Sequence, residues 1–506
     1  MTIRRLLAFC VLALSFAPSA SAGSMMFVGA AEDQARSLDP VLAKSRMDLA
    51  ALAGFDAVRM TSIWEPGQRE VTGDDLRALD NAATAAQLDG IRLIVSVYHR
   101  DHRTTPLTAR ARSDFAAYTA SIARKVPTIA DFIIGNEPNL NLFWMPQFTA
   151  RGADAAAVAY ERLLAQTYDA IKRVSPEANV IGGALAPRGQ DEPLALRQTH
   201  SPTAFILDLG ATYRKSGRKK RIMDMFALHP YAAASRLAPT FTNPRNTSIG
   251  ISDYDKLRKL LDHAFGGTPQ PGAGVPILYD EFGYQSTIPA AKRRFYRNLG
   301  SPAARDAIPE SQQAAYYRKA FAIAQCQPTV AGMLIFHVAD ERNAKAWQSG
   351  VYYYDNTRKS SFAWVRSAAL RAQAGTLVQC SHGKVRTGLG DVVFHEPALE
   401  GPAALGIDFS CSFICRYEAR VVRVETGAVA LSSSGTAPVG TQSLTLPADE
   451  LQPGTYQYAF RASAAGRPGT AVTRYSRPFT LGEPAPEPAA LLPTLEPTVP
   501  AVAVAR

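Results

Sequence analysis

The chain has 506 residues and a hydrophobic fraction of 47%. That length is too great for one typical domain, and that fraction is ordinary for a globular protein with a sizeable core. The formal net charge of +11 is typical of proteins that meet nucleic acid or an anionic surface. Beyond the first residues no segment has the roughly 20 apolar residues that a membrane helix needs.

The chain begins with a pattern typical of an export signal. Arg4 and Arg5 precede the apolar run Leu6–Phe16, and the small residues Ala20–Ala22 form a cleavage site. We therefore predict that residues 1–22 are removed and that the protein is secreted by the Sec route.

Eight short apolar runs recur through the first 340 residues, with Ala-rich segments of helical spacing between them. The runs are Met25–Gly29, Ala57–Thr61, Leu93–Val97, Phe132–Gly135, Val180–Gly183, Met225–Leu228, Ile277–Tyr279 and Met333–Phe336. The clearest helical segments are Asp75–Gln87 and Ala155–Val174. Such alternation predicts parallel strands covered by helices, and eight units predict an α/β fold, a closed (β/α)₈ TIM barrel over residues 23–375.

Polar side chains collect at the end of six of these runs. They are Arg59, Tyr98, His99, Asn136, Glu137, His229, Tyr231, Glu281, His337 and Asp340. In a barrel the C-terminal strand ends share one face, and that face carries the active site. Two long segments, Ala232–Asp253 and Ser286–Ser311, follow runs six and seven, and we expect them to shape a substrate cleft.

The last barrel helix is expected to end near Gln373, and the pattern changes after it. Short alternating strands with turn signals predict a small β-sandwich of the immunoglobulin or fibronectin III kind over residues 380–481. Examples are Ala419–Val424, Ser443–Leu446 and Tyr456–Ala462. We favour a spacer over a polysaccharide-binding module, because no aromatic platform is evident. The Pro/Ala-rich residues 482–506 are predicted to be disordered.

Four cysteines remain once Cys10 is lost with the signal. They are Cys326, Cys380, Cys411 and Cys415. An even number in an exported protein indicates two disulfides with three open connectivities. We favour Cys326 with Cys380 and Cys411 with Cys415, the latter requiring a turn at Ser412–Ile414. No CxxC pair is present, so no metal site is expected.

Two of the strand-end residues, Glu137 and Glu281, are glutamates on strands four and seven, which lie roughly opposite each other across a barrel. Cleavage of a glycosidic bond needs two opposed carboxyl groups. One gives a proton to the leaving oxygen, and the other attacks the anomeric carbon.

The segment IIGNEPN (Ile133–Asn139) resembles the strand-four motif of clan A glycoside hydrolases, which include families 5 and 39. The resemblance implies that Glu137 is the general acid/base and that Asn136 hydrogen-bonds the sugar 2-hydroxyl. The segment PILYDEFG (Pro276–Gly283) is similar to the strand-seven motif and implies that Glu281 is the nucleophile.

Three further positions extend this resemblance, which covers most of the predicted barrel. The segment LHPY (Leu228–Tyr231) is similar to the strand-six His-x-Tyr pattern. This implies that Tyr231 orients the nucleophile, with His229 supporting it. Arg59 in VRMTSIW matches the strand-two arginine of several clan members, and His99 matches a sugar-binding histidine.

The sequence departs from the clan at strand eight. Many members end this strand with a tryptophan that stacks on the sugar, but LIFHVADE (Leu334–Glu341) has none. Tryptophans in predicted loops on the same face are candidates for stacking. They are Trp64, Trp144 and Trp347, of which Trp347 is the nearest substitute. Trp364, in the last helix, is expected in the core.

The resemblance implies a retaining hydrolase with carboxyl groups about 5–5.5 Å apart, acting on a polysaccharide or oligosaccharide that is β-linked. A transglycosylase using the same intermediate is one alternative, and a non-catalytic, cell-surface carbohydrate-binding barrel is another. The sugar, the linkage and endo or exo attack stay open. No cofactor is expected, and we expect a monomer.

The densest basic cluster is Arg214–Arg221, just before the sixth run and therefore on the face opposite the strand ends. We interpret it as a solvated helix end, with attraction to an anionic cell wall as the alternative. Nucleic acid is not expected as a partner, because no recognisable module interleaves basic and aromatic residues.

Overall fold

The structure, a computed structural model, describes eleven stretches of the chain. They are residues 26–300, 306–378, 380, 389–395, 405–411, 414–424, 426–438, 440–449, 451–465, 467–476 and 478–482. The expectations of an export signal over residues 1–22 and of a disordered tail after Gly482 fall outside these residues.

Eight parallel strands close into a barrel in chain order. They are β1 (Phe27–Ala31), β2 (Ala57–Trp64), β3 (Arg92–His99), β4 (Asp131–Ile134), β5 (Asn179–Leu185), β6 (Met225–Leu228), β7 (Ile277–Phe282) and β8 (Val330–Phe336). The ring closes because Gly29 on β1 lies opposite both Ala57 and Leu334. A side chain at Gly29 would bring its Cβ to 1.8 Å from the Ala57 carbonyl oxygen, so the strands approach this closely only with glycine. The predicted TIM barrel is confirmed.

Within the described residues, eight α-helices cover the strands. They are α1 (Pro40–Leu52), α2 (Gly73–Leu88), α3 (Ala109–Lys125), α4 (Ala156–Val174), α5 (Pro202–Ser216), α6 (Tyr254–Phe265), α7 (Glu310–Gln325) and α8 (Phe362–Gln373), with 3₁₀ helices at His102–Thr104, Ile251–Asp253 and Ala290–Phe295. Local signals fix their ends. At α5 the Ser201 hydroxyl accepts from the Ala204 N–H, and Gly217 ends the helix with a φ of 66°, as capping rules require. The last barrel helix ends at Gln373, where the sequence predicts it.

The expectation for Trp364 is wrong. Its side chain is 67% exposed, because α8 turns Phe362, Val365 and Ala369 toward the barrel instead.

The C-terminal region forms two antiparallel sheets around one apolar core, which confirms the predicted β-sandwich. Its strands are β9 (Leu389–Phe394), β10 (Leu405–Cys411), β11 (Cys415–Arg423), β12 (Val429–Ala437), β13 (Gly440–Leu446), β14 (Gly454–Ala464), β15 (Arg467–Tyr475) and β16 (Phe479–Leu481). The sheet orders are β13-β10-β9 and β12-β11-β14-β15, with β16 paired to β14. Phe409 and Phe460, whose rings lie 4.6 Å apart, join the two sheets.

Both favoured disulfides are confirmed. Cys326 bonds Cys380 and Cys411 bonds Cys415, with Cα atoms 5.4 and 6.1 Å apart. The expected turn at Ser412–Ile414 lies outside the described residues except for Ile414.

The sandwich contacts the N-terminal end of the barrel, opposite the polar strand ends. Asp56, just before β2, pairs with Arg474 on β15 at 3.3 Å, and the Gln457 side chain on β14 donates to the Gln87 carbonyl at the end of α2. Among the described residues no helix is long and apolar enough to cross a membrane.

Candidate active site

A cavity of about 620 Å³ opens among the C-terminal strand ends. Most of the strand-end residues predicted from the sequence line it, together with side chains from the following loops. These include Glu32, Asp33, Arg59, Tyr98, Asn136, Glu137, Arg188, Tyr231, Glu281, Phe336, His337 and Trp347. We call this cavity the cleft.

Glu137 stands just past β4 in an unusual backbone conformation. Its φ is +40°, and Gly135 before it has a φ of +86°. A residue with a side chain pays on the order of 1–3 kcal/mol to stay in this region, and such strain concentrates at functional sites. The Glu137 N–H donates to the Ala184 carbonyl at 2.9 Å, which holds the turn in place.

Glu281, near the end of β7, receives two hydrogen bonds from opposite sides. The Tyr231 hydroxyl donates to its Oε2 at 3.1 Å, and the Arg59 guanidinium donates to its Oε1. The contact expected between Tyr231 and Glu281 is therefore present. Both carboxylate oxygens have fixed partners, so the side chain holds one orientation.

His229, fully buried at the end of β6, connects the two glutamates. Its Nδ1 lies 2.9 Å from Glu137 Oε1 and 3.5 Å from Glu281 Oε2. The two oxygen atoms are therefore separated by at most the sum of those distances, about 6.4 Å. On its other side Nε2 lies 3.2 Å from Asp280 Oδ2, so the imidazole bridges three carboxylates.

The neighbouring carboxylates decide whether the His229 imidazole is charged. Burial opposes a charged imidazole, but Asp280 and Glu281 outweigh it and raise the pKa of His229 well above 6.5. Burial likewise favours a neutral Asp280, yet His229 and Arg59 hold the pKa of its carboxyl below the ordinary value. Histidine is thus an imidazolium here, and both of its nitrogen atoms donate.

Arg59 hydrogen-bonds both Glu281 and the side-chain amide of Asn136. Its Nη2 donates to Asn136 Oδ1 at 3.0 Å and to Ser96 Oγ at 3.1 Å, and its Nε lies 3.7 Å from Asp280 Oδ2. Because the amide oxygen of Asn136 accepts from Arg59, its NH₂ group remains as the donor toward other partners.

Two tryptophans and one histidine predicted to bind sugar do not line the cleft. Trp64 and Trp144 are 0% and 1% exposed, so the expected stacking role is wrong for both. Trp64 ends β2 and donates to the Gln68 carbonyl at 2.8 Å. Trp144 packs edge-on against His99, with ring centres 5.4 Å apart.

His99 instead supports a loop that forms one wall of the cleft. Its Nε2 lies 2.6 Å from the Phe143 carbonyl oxygen, and burial lowers the pKa of its imidazole to about 4. Phe143 itself lines the cleft. Asp340 has a similar supporting position: it is buried and pairs with Lys359 at 2.6 Å.

Trp347 and Tyr231 form an aromatic wall in the cleft. Their ring centres are 4.9 Å apart with a tilt of 34°, and Phe336 meets Trp347 edge-on at 5.4 Å. The residue named as the nearest substitute for the missing strand-eight tryptophan therefore reaches the cleft.

Sequence reasoning missed several cleft residues. Glu32 and Asp33 follow β1, but the first run was predicted two residues early, at Met25–Gly29, so they looked distant from a strand end. Arg188 lies in the loop after β5, and the run that predicts β5 has no polar residue at its end to mark this loop. Asp280 stands directly before Glu281, and its only signal was that adjacency.

The pKa of His229 predicts a pH-dependent stability. A histidine whose pKa is raised on folding stabilises the protein fully below its unfolded value of 6.5, and the effect disappears as pH rises through the folded value. We expect His229→Asn to lower the free energy of unfolding more at pH 6 than at pH 10, measured by urea denaturation. His263→Asn, on the exposed side of α6, is the control. An equal loss for His229→Asn at both pH values would contradict the assigned charge.

Among the residues that the structure describes, no group of three or more His, Cys, Asp or Glu side chains is arranged to hold a metal ion.

No protein-family model matches this sequence, and no curated protein matches it. Among solved structures, the chain is similar to a calcium-binding mutant of beta-glucuronidase 2 from Bacteroides uniformis, with a TM-score of 0.42, 12% identity and coverage of 91% of this chain and 45% of that one. It is also similar to a monomeric beta-xylosidase from Caulobacter crescentus, with a TM-score of 0.44, 15% identity and coverage of 88% and 98%. A third is a glucosidase from Croceicoccus marinus, with a TM-score of 0.45, 12% identity and coverage of 79% and 89%.

The chain spans less than half the length of the Bacteroides uniformis protein.

Proposed function

We propose that this protein is a secreted glycoside hydrolase that cleaves O-glycosidic bonds of a β-linked polysaccharide or oligosaccharide with retention of configuration. The observation that carries the proposal is the His229 bridge between Glu137 and Glu281. It limits one pair of their oxygen atoms to about 6.4 Å or less, which is compatible with the separation of about 5–5.5 Å between the carboxyl groups of retaining glycosidases.

In the first step, Glu281 attacks the anomeric carbon and the glycosidic C–O bond breaks. Glu137 gives its proton to the leaving oxygen, and a covalent glycosyl-enzyme forms. Tyr231 and Arg59 hold Glu281 in the attacking orientation, and the Asn136 amide is placed to donate to the sugar 2-hydroxyl. In the second step, Glu137 removes a proton from water, which attacks the same carbon and releases the sugar from Glu281.

His229 has a specific part in this cycle. The Glu137 carboxyl becomes a carboxylate when it gives up its proton, and the adjacent imidazolium stabilises that charge at 2.9 Å. Asp280 in turn keeps the imidazole charged. A buried Asp–His–Glu chain of this kind supports the alternation of Glu137 between acid and base.

The aromatic wall supports a sugar substrate, because the C–H face of a pyranose packs on an aromatic ring. We expect Trp347→Ala to raise KM about three- to ten-fold with little change in kcat, measured by steady-state kinetics on an oligosaccharide. Trp364→Ala, which removes an exposed indole on α8, should leave both constants unchanged. An unaltered KM in Trp347→Ala would remove Trp347 from the binding site.

Secretion is supported by the two disulfides, because disulfides persist in oxidising compartments. One of the two disulfides, Cys411–Cys415, joins the end of β10 to the start of β11 in the sandwich. An oxidising environment outside the cell keeps such a bond from being reduced.

A panel of aryl β-glycosides and plant and microbial polysaccharides tests the proposal. Proton NMR of the first product anomer should show the β configuration, and an activated fluorosugar should label Glu281, identified by peptide mass spectrometry. An α product would overturn retention, and no turnover of any glycoside would support a non-catalytic binding barrel. Predominant transfer to an added sugar acceptor would identify a transglycosylase.

A further inference from the structure

A second and larger cavity lies at the opposite end of the barrel, where the sandwich contacts it. Its volume is about 1160 Å³, against about 620 Å³ for the cleft. One wall is formed by α4 and the segment before β6, and the other by β11, β12 and β14. We call it the junction groove.

The junction groove is strongly cationic. Seven lysine and arginine side chains line it against four carboxylates. Three of those carboxylates already have a cation partner. Asp169 pairs with Arg218 at 2.6 Å, Asp224 with Lys172 at 2.8 Å, and Glu418 with Arg420 at 2.7 Å.

Besides Arg461, whose guanidinium donates to the Glu177 carbonyl, five of the groove cations form no salt bridge with any residue that the structure describes. They are Arg173, Lys219, Lys220 and Arg221 from the barrel and Arg416 from the sandwich. All except the half-buried Arg221 are exposed. The two walls thus direct uncompensated positive charge into one space, which raises the local concentration of an anionic ligand.

The basic cluster at Arg214–Arg221 contributes to this groove. Arg218 is used internally by Asp169, while Lys219, Lys220 and Arg221 face the groove. The sandwich contributes Arg416 and Arg461 to the same surface.

Two half-buried tyrosines, each with one ring face packed against Lys172 or Phe460, and two serines also line the groove. Tyr168 on α4 and Tyr417 on β11 line it, and Ser434 and Ser463 add hydroxyl groups. Tyrosine rings pack against the apolar face of a sugar, while arginine binds carboxylate or sulfate through paired N–H groups. Arg461 joins the two walls, because its guanidinium donates to the Glu177 carbonyl.

We propose that the junction groove binds an anionic polysaccharide, one that carries carboxylate or sulfate groups, at a non-catalytic site separate from the cleft. The inference stands on the groove itself and goes beyond the proposed function. On a glycosidase, such a site anchors the enzyme to a polymer while the cleft at the other end of the barrel stays open. Single-stranded nucleic acid is less well matched, because it requires a series of aromatic rings for successive bases.

Binding is tested with the full chain by affinity electrophoresis in gels that contain polygalacturonate, heparin, neutral dextran or single-stranded DNA. We expect retardation by polygalacturonate or heparin that weakens with added salt, and none by dextran. Retardation by neither polyanion, or equally by dextran, overturns the proposal. Tighter binding of DNA than of both polysaccharides also overturns it and assigns the groove to nucleic acid.

A charge-reversal pair locates the site. Lys219→Glu with Arg416→Glu changes one residue on each wall, and we expect about ten-fold weaker binding to the polyanion. The matched control, Arg77→Glu with Lys259→Glu, makes the same change of net charge on exposed faces of α2 and α6. Equal weakening in both variants would show only a net-charge effect and overturn the proposal.

A second measurement, hydrolysis of a small aryl glycoside, tests the proposed catalysis independently of binding in the junction groove. Hydrolysis of a small aryl glycoside should be the same in Lys219→Glu/Arg416→Glu as in the parent. Polyanion binding without any glycoside turnover would refute the glycosidase and leave the groove assignment standing.

Discussion

We expect Glu281→Gln to lose activity on an aryl β-glycoside by on the order of 10⁴-fold or more, because the proposed mechanism forms its covalent intermediate on Glu281. Glu137→Gln should lose about 10²–10⁴-fold on a polysaccharide, which is the usual contribution of a proton donor. On a glycoside with an acidic phenol as leaving group, the first step in Glu137→Gln should be nearly normal, since that leaving group needs no proton. The measurement is kcat/KM for each variant on both kinds of substrate.

The two roles can be assigned separately with azide. In Glu281→Ala, azide should restore turnover by replacing the missing nucleophile. In Glu137→Ala, azide should replace the water that attacks the glycosyl-enzyme. The two glycosyl azides should therefore have opposite configurations. Glu65→Gln removes a carboxylate near the same barrel face that pairs with Arg100, and it should be fully active. Equal losses in both catalytic variants on every leaving group would show that the roles are misassigned.

The barrel and the face that carries the cleft could be predicted because their signals are local. Each strand is a short apolar run, and the residues that end the runs must meet at one face in a closed parallel sheet. That argument brought Arg59, Glu137, Tyr231 and Glu281 together before any contact was known. The exact strand ends follow less directly from the sequence. The predicted run for β1 ends two residues before the strand does, so Glu32 was not identified as a strand-end residue.

Contacts that depend on how loops fold back could not be predicted in this way. Trp144 belongs to the irregular segment after β4, whose path has no periodicity, and only the structure shows that it packs behind the cleft against His99. Trp64 had a signal that was missed: extending β2 by three residues places it in alternation with the buried Met60 and Ser62. The His229 bridge depends on strands β4, β6 and β7 meeting in space, and no sequence spacing reports it.

The junction groove illustrates the same limit at the level of domains. The basic residues near Lys219 and the strand that carries Arg416 lie about 200 residues apart in the chain, and each alone is an ordinary surface feature. Only their placement on facing walls gives them a common ligand.

Arg59 is a residue whose loss should affect stability strongly. Its side chain is 5% exposed, and it contacts Glu281, Asp280 and Asn136. Arg59→Met leaves the buried Asp280 and the partly buried Glu281 with His229 as their remaining cationic partner among the described contacts. Removal of one partner from a buried ion pair costs about 3–5 kcal/mol. We therefore expect that decrease in the free energy of unfolding at pH 7, measured by urea denaturation, together with loss of activity.

Arg69→Met is the matched control, because Arg69 also pairs with an aspartate, Asp114, but is 61% exposed. Its guanidinium stays in solvent and Arg110 also pairs with Asp114, so a pair of this kind contributes about 0–1 kcal/mol and this variant should be nearly as stable as the parent. A similar small cost for Arg59→Met would mean that the carboxylates of the cleft do not depend on the guanidinium.

The pH dependence of the Arg59→Met defect tests its electrostatic origin. Arg59 helps to hold the pKa of Asp280 below its ordinary value, and an acid with a lowered pKa stabilises the fold above its unfolded pKa and loses that effect as pH falls. The stability difference between parent and Arg59→Met should therefore shrink from pH 7 toward pH 3, because protonation of the Asp280 carboxyl removes the charge that Arg59 stabilises. Arg59→Lys keeps the charge without the planar fork, so it should recover part of the stability but little of the activity, because a single ammonium cannot hold Glu281 and Asn136 together. A difference that stays constant with pH would attribute the defect to lost packing rather than to charge.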